Sequence, residues 1–487
     1  MKLEFVCVLS VALQAVEATS AKGGYETRTF NQTLDHTTGE GTWAHRYLYS
    51  DANWDGSGKL ENGCRGPILL YTGNEGPITA FWDSNGFMID VLAPKWGGLL
   101  VFPEERYYGE SLPFGAASFE ANNVKYLTVE NILADYIRLV KALKQDLGEQ
   151  AEKCPVIAFG GSFGGTLTTF IRAAYPDVIT GGLAASAPVG YYDVDGWPSH
   201  GVDEFTWADI VRTDYDTAHP KCTQAIAETM GAIARADVAD LVSAFGVCDA
   251  AGLGPDAPTE LLAYALEGIP QQNYPYQIGA MPAWPVNATC ALLTTPYANG
   301  AAPTDAALIA AGAKVTDMAF GHATGGACLA TFVEGPGGVP GDGPGSDAWG
   351  WQSCTENLHE FSSKGAVREY AFSLSATAKA CASYFNGSNA LTPAKLTKLY
   401  GGYKLGDGET NVSQLIWSNG ALDPWHGGGF LKPGKASTGN HWIMMPNGAH
   451  HVDLRGPHPD DTADITAARA AEETIIRSWI DAAGAKL

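Results

Sequence analysis

Apolar residues fall into two textures along this chain. Short unbroken runs ending in glycine-rich loops occur at GPILLYTGNEG (66–76), GGLLVFPEERYYGES (97–111), CPVIAFGGS (154–162) and TGGLAASAPV (180–189). Between them, VENILADYIRLVKALKQDL (129–147) places apolar residues near helical spacing. Runs of that length alternating with a helical pattern predict parallel strands joined by helices, one half of a doubly wound α/β sheet. The texture returns late, where VSQLIWSNG (412–420) and HWIMMPNG (441–448) read as strands and 461–484 as a closing helix.

The stretch between these halves is different. From 191 to 408 helical patterns such as HPKCTQAIAETMGAIARADVADLVSAF dominate, interrupted by a glycine- and proline-rich tract at 335–345. The expected organisation is a leader at 1–20, a first core segment at 21–190, a helical insertion at 191–408 and a second core segment at 409–487. No internal repeat is present.

Composition narrows the classes of partner. A hydrophobic content of 45% supplies a packed core, and 30 basic against 53 acidic residues give a net charge of −23. That excess of negative charge argues against nucleic acid or an anionic membrane as partner. The N-terminus joins Lys2, an apolar run from Phe5 to Val16 and small residues at 18–21, the pattern of a secretory signal. The run is shorter than the roughly 20 residues a membrane span needs, so stable membrane insertion is not expected.

The cysteines agree with that route. Setting Cys7 aside with the leader leaves eight of the nine, with no C-x-x-C pair and no histidine at zinc-ligand spacing, so disulfides are expected and a metal is not. N-x-[ST] sequons stand at Asn31, Asn287, Asn386 and Asn411.

Candidate chemistry centres on Ser162. GGSFG (160–164) is the one G-x-S-x-G match, with a predicted strand before it and Leu167, Phe170, Ile171 and Ala174 at helical spacing after it. A strand–serine–helix turn of this kind presents a nucleophilic hydroxyl, and glycines two residues either side give the strand and helix room to approach. Attack would be helped by the Phe163 amide and the positive end of the new helix. A second oxyanion amide belongs on the loop after an earlier strand, which makes Asn74 and Glu75 in TGNEG the candidates.

A serine nucleophile needs a base. In this fold the order is serine, acid, histidine, each on a loop past a strand. Asp423 in SNGALDPWHGGG and His450 or His451 in NGAHHVDLRG meet that order; spacing alone leaves the two histidines open. Asp423 is read as the acid and His450 as general base.

These residues resemble one family, the secreted and lysosomal serine peptidases that include Pro-Xaa carboxypeptidase, dipeptidyl peptidase II and thymus-specific serine protease. The likeness runs through FNQTLDH (30–36), YTGNEG, RYYGESLPFG (106–115), GGSFGG, NYPYQIGAMPAWPV (273–286), WQSCTE (351–356), SNGALDPW and GAHHVDLR. It implies an α/β-hydrolase fold with a mostly helical, disulfide-braced cap and a triad of Ser162, Asp423 and His450, the first histidine of GAHH being the catalytic one. It further implies exopeptidase cleavage of peptides beside proline without a cofactor, a proline pocket lined by Trp425, and residence in the secretory pathway, as a secreted or lysosomal protein. Family members often form homodimers. The family's cap pattern suggests Cys222–Cys290 and Cys248–Cys328, with Cys354–Cys381 as the third pair. In this fold Cys64 and Cys154 precede neighbouring parallel strands, which makes them a fourth.

Two departures stand out. Thr166 occupies a position where the family commonly has a methionine lining the proline pocket, and Glu105 stands where it has histidine. Both leave the triad untouched and weaken the expectation of strict proline preference. Two other readings share this scaffold: a carboxylesterase or lipase with the insertion as lid, and a catalytically silent binding protein. Whether the peptidase works at the carboxyl or the amino end is open; Glu75 could serve the amine of a dipeptidyl-peptidase substrate.

Overall fold

A computed structural model describes residues 24–246, 257–279, 281–298, 300–320, 345–365, 367–384, 391–434 and 439–485. The leader, the Cys248–Cys328 pair, the Asn386 sequon and nearly all of the 335–345 tract lie outside them.

One eight-stranded sheet organises the chain. Its strands are β1 (Glu26–Asp35), β2 (Glu40–Ser50), β3 (Ile68–Tyr71), β4 (Leu99–Pro103), β5 (Val156–Gly161), β6 (Gly181–Ala185), β7 (Leu415–Gly420) and β8 (His441–Met445). The spatial order is β1-β2-β4-β3-β5-β6-β7-β8, antiparallel for the first two strands and parallel from β4 onward. Strands β3 to β7 are buried along their whole length, which is why they read as unbroken apolar runs rather than alternating ones. This order, with the serine turn following β5, is the α/β-hydrolase arrangement.

The edge hairpin β1–β2 is absent from the sequence prediction, for a physical reason. Its inward positions include Trp43, His45, Tyr47 and Tyr49, all buried, so a histidine sits where a period-2 apolar pattern would need a hydrophobe. His45 is accommodated by bonds to Gln32 and to the Glu104 carbonyl.

Helices cover both faces. The helix α1 (Val129–Leu147) opens at Thr128, whose side chain accepts from the Asn131 amide, and buries Ile132, Tyr136, Leu139, Val140 and Leu143. Helix α2 (Phe163–Ala174) starts at Ser162 and is buried along nearly its whole length. The closing helix Ala463–Gly484 lays Trp479 over Gly181, where a Cβ would stand 2.5 Å from the ring.

Between β6 and β7 the described chain is mostly helical, including α3 (Thr206–Ala218) and α4 (Gly345–Thr355). One contiguous apolar cluster runs from the sheet into these helices. Disulfides join Cys222 to Cys290 and Cys354 to Cys381 in this stretch, and Cys64 to Cys154 at the starts of β3 and β5.

Candidate active site

The parallel strands deliver their C-terminal ends to one edge of the sheet, where the loops carrying Ser162, Asp423 and His450 lie. Ser162 has φ 57° and ψ −127°, a backbone conformation that non-glycine residues rarely hold. Its amide donates to the Ala185 carbonyl at 2.9 Å, and its own carbonyl accepts from Thr166 at 3.0 Å, so strand and helix grip the turn from both sides. The glycine requirement is steric at two positions. A Cβ on Gly160 would sit 2.2 Å from the Gly164 carbonyl, and one on Gly164 would sit 2.5 Å from that of Gly73.

Asp423 follows β7 and is wholly buried; His450 follows β8. His450 Nδ1 donates to Asp423 Oδ2 at 2.7 Å, and Asp423 Oδ1 accepts from the Trp425 amide at 3.1 Å. With its proton on Nδ1 facing an acid, the His450 ring keeps Nε2 as the nitrogen that can accept a proton. His451 is placed differently. Its backbone is left-handed at φ 38°, its amide donates to Ser186 Oγ at 2.8 Å, and its ring fills the space beside Gly161. Burial, then the neighbouring His450 and Arg455, hold its imidazolium form well below the ordinary range.

Residues that the sequence reading did not single out brace this pair. The His450 amide donates to the Gln271 carbonyl, the Tyr274 hydroxyl donates to the His450 carbonyl, and Gln271 Oε1 accepts from Trp425 Nε1 at 3.0 Å. Tyr274 falls within a string that carried the resemblance, which was its only signal.

The loop after β3 meets the serine turn through a side chain. Asn74 Nδ2 donates to the Gly161 carbonyl and its Oδ1 accepts from the Gly164 amide, both at 3.0 Å. The Glu75 amide also donates to Asn74 Oδ1, at 3.3 Å. Asn74 therefore ties the two loops together besides offering a backbone. Phe163 begins α2, so its amide has no partner within the helix; its ring meets Trp349 edge-on at 5.3 Å.

Trp425 is almost fully covered, with Tyr191, Trp207, His359 and Phe361 packed around it and the His450 ring 6.5 Å away. Thr166 is buried one helical turn beyond Ser162. Glu105 is buried behind the Asn74 loop, accepting from Gln352 Nε2 at 2.8 Å, and burial pushes its carboxyl well above the ordinary range. The sequons Asn31, Asn287 and Asn411 are exposed. Among the described residues no group of three or more His, Cys, Asp and Glu could hold a metal, and no helix is long and apolar enough to cross a membrane.

The strand order and the strained serine turn define an α/β-hydrolase, and one with an Asp–His pair on later loops. The chain belongs to the serine carboxypeptidase S28 family, whose pattern matches residues 32–472. It is 32% identical over 474 residues to the lysosomal Pro-X carboxypeptidase of Mus musculus, covering 94% of this chain and 89% of that one. The Homo sapiens lysosomal Pro-X carboxypeptidase is 32% identical over 94% of this chain and 88% of its own. Homo sapiens thymus-specific serine protease is 26% identical over 90% and 83%. The protein is accordingly a serine-type peptidase.

Proposed function

We propose that the chain is an exopeptidase that cleaves after proline or another small residue through an acyl-enzyme on Ser162. Ser162 Oγ attacks the scissile carbonyl while His450 Nε2 takes its proton. Asp423 fixes the ring orientation and stabilises the imidazolium, and His450 then protonates the leaving amine. Water enters, gives its proton to His450 and releases the acid, restoring the serine. The Phe163 amide and an amide of the 74–75 loop stabilise the oxyanion. The observation that carries this reading is the 2.7 Å bond between His450 and buried Asp423, on loops facing a strained serine turn.

The proline preference rests on the names of the Pro-X carboxypeptidase relatives. The helices of 191–408 are read as the cap that closes over the site. Three disulfides favour an oxidising compartment, and with exposed sequons and lysosomal relatives they support a secretory route ending outside the cell or in a lysosome.

A fluorophosphonate probe should label the purified protein, and Ser162→Ala should abolish labelling and peptide hydrolysis together. Turnover persisting in that variant would remove Ser162 from the mechanism. Comparing an amino-terminally free Xaa-Pro amide with an N-blocked Pro-Xaa peptide separates amino-end from carboxyl-end cleavage.

A further inference from the structure

A chain of contacts borders the space between Ser162 and the Asp423–His450 pair. Thr166 follows Ser162 by one helical turn, and the Tyr192 hydroxyl lies beside Thr166. The Tyr192 ring is 6.2 Å from His359, and His359 is 5.8 Å from Trp425. The Trp425 amide returns to Asp423, which holds His450. Thr166, Tyr192 and Trp425 are buried, whereas Ser162 and His359 keep partial exposure.

Trp425 offers an aromatic body to a small ring, but the rest of this lining is polar. Thr166 Oγ1 is buried, with the Tyr192 hydroxyl beside it. His359 Nδ1 lies 2.8 Å from the Asn357 carbonyl, which can only accept, so the proton resides on Nδ1 and Nε2 presents a lone pair. Burial holds the His359 imidazolium form down to about 4, which keeps the ring an acceptor at higher pH.

Resting on the reading of Ser162 as nucleophile, we propose that this space receives the P1 side chain and selects, among small residues, those that carry a hydroxyl. The hydroxyl donates to His359 Nε2, with Thr166 and Tyr192 able to complete its hydrogen bonding. A wholly apolar side chain would leave His359 Nε2 desolvated and unpaired, a larger penalty than the loss of one contact. Threonine is then preferred to valine, and 4-hydroxyproline to proline.

The test uses matched pairs differing only in that hydroxyl, Thr against Val and 4-hydroxyproline against Pro. Each is placed at P1 in both amino-terminally free amides and N-blocked dipeptides, so the outcome does not depend on which end is cut. The expected result is that the hydroxyl-bearing member has the higher kcat/KM, by about tenfold, and that His359→Phe or Thr166→Val brings the ratio toward one. Ratios at or below one for both pairs in the wild-type enzyme overturn the proposal while leaving the serine peptidase reading intact. A protein that takes the fluorophosphonate at Ser162 yet cleaves none of the four overturns the P1 assignment. Absence of labelling removes the mechanism, and the P1 proposal with it.

Discussion

Asp423 has two acceptors and uses both, one on His450 Nδ1 and one on the Trp425 amide. An amide at that position keeps the shape but can offer its NH₂ to His450, favouring the tautomer in which Nδ1 accepts and Nε2 carries the proton. Asp423→Asn is therefore expected to lower kcat on the order of 10⁴-fold with a folded protein and little change in KM. A loss below tenfold would mean that Asp423 is not the orienting acid. The residues of this centre divide by how they announce themselves. Ser162 and Asp423 lie in short strings that are legible as candidates, because a strained strand-to-helix turn and a loop past a strand constrain their own neighbours. Gln271 and Tyr274 touch the site through a carbonyl and a hydroxyl brought from over 170 residues away from His450, or 154 from Trp425, and no local pattern encodes such a contact. Spacing equally leaves His450 and His451 open; in the structure His450 bonds to Asp423, whereas His451 has a left-handed backbone.

At the scale of elements, the RYYGES stretch turns out to anchor structure rather than chemistry. Arg106, fully buried, makes two 2.7 Å bonds to Asp135 of α1 and donates to the carbonyls of Thr33, Leu34 and Tyr126. It thereby ties the end of β1 to α1 and the sheet, and explains how the edge strand, which has little apolar burial of its own, is held in place. Removing it leaves the buried Asp135 carboxyl with His36 Nε2 as its remaining side-chain hydrogen-bond partner among the described residues. Arg106→Ala is expected to cost about 3–5 kcal/mol in unfolding free energy, measured by denaturant titration, with protease cutting in 26–50 ahead of the sheet. A loss under 1 kcal/mol would show that the hairpin is held by its apolar face alone. The parallel strands were legible because burial on both faces produces unbroken apolar runs. The hairpin was not, because Arg106, Asp135 and His45 hold it by hydrogen bonding where an alternating pattern would carry hydrophobes.

Across the whole molecule, several carboxyls are deeply buried. Burial raises Asp214 to about 8 from its ordinary 3.8 and Glu356 to about 7 from 4.5, the latter despite Lys395 beside it. Burial likewise holds Glu105 and Glu472 well above 4.5. In each case the folded protein keeps a proton that the unfolded chain gives up above pH 5, so the folded state binds more protons and stability falls as pH rises. Buried histidines act in the opposite sense, but only below their ordinary 6.5: His359 and His451, held neutral in the fold, favour unfolding as pH drops through that value. The window from pH 7 to 8 therefore isolates the carboxyls. There each group still protonated in the fold costs on the order of 1 kcal/mol per pH unit, and Tm is expected to be lower at pH 8 than at pH 7. Asp214 is the most direct probe, since its Oδ2 is buried without a partner and the Asp423 charge adds to the cost of ionising it. Asp214→Asn removes one proton from the balance and should flatten the pH dependence of Tm over that interval. A Tm that climbs from pH 7 to 8, or a slope indifferent to Asp214→Asn, would show that water reaches these carboxyls and lets them ionise in the folded protein. The expected slope would make pH 7 more favourable than pH 8 for this fold.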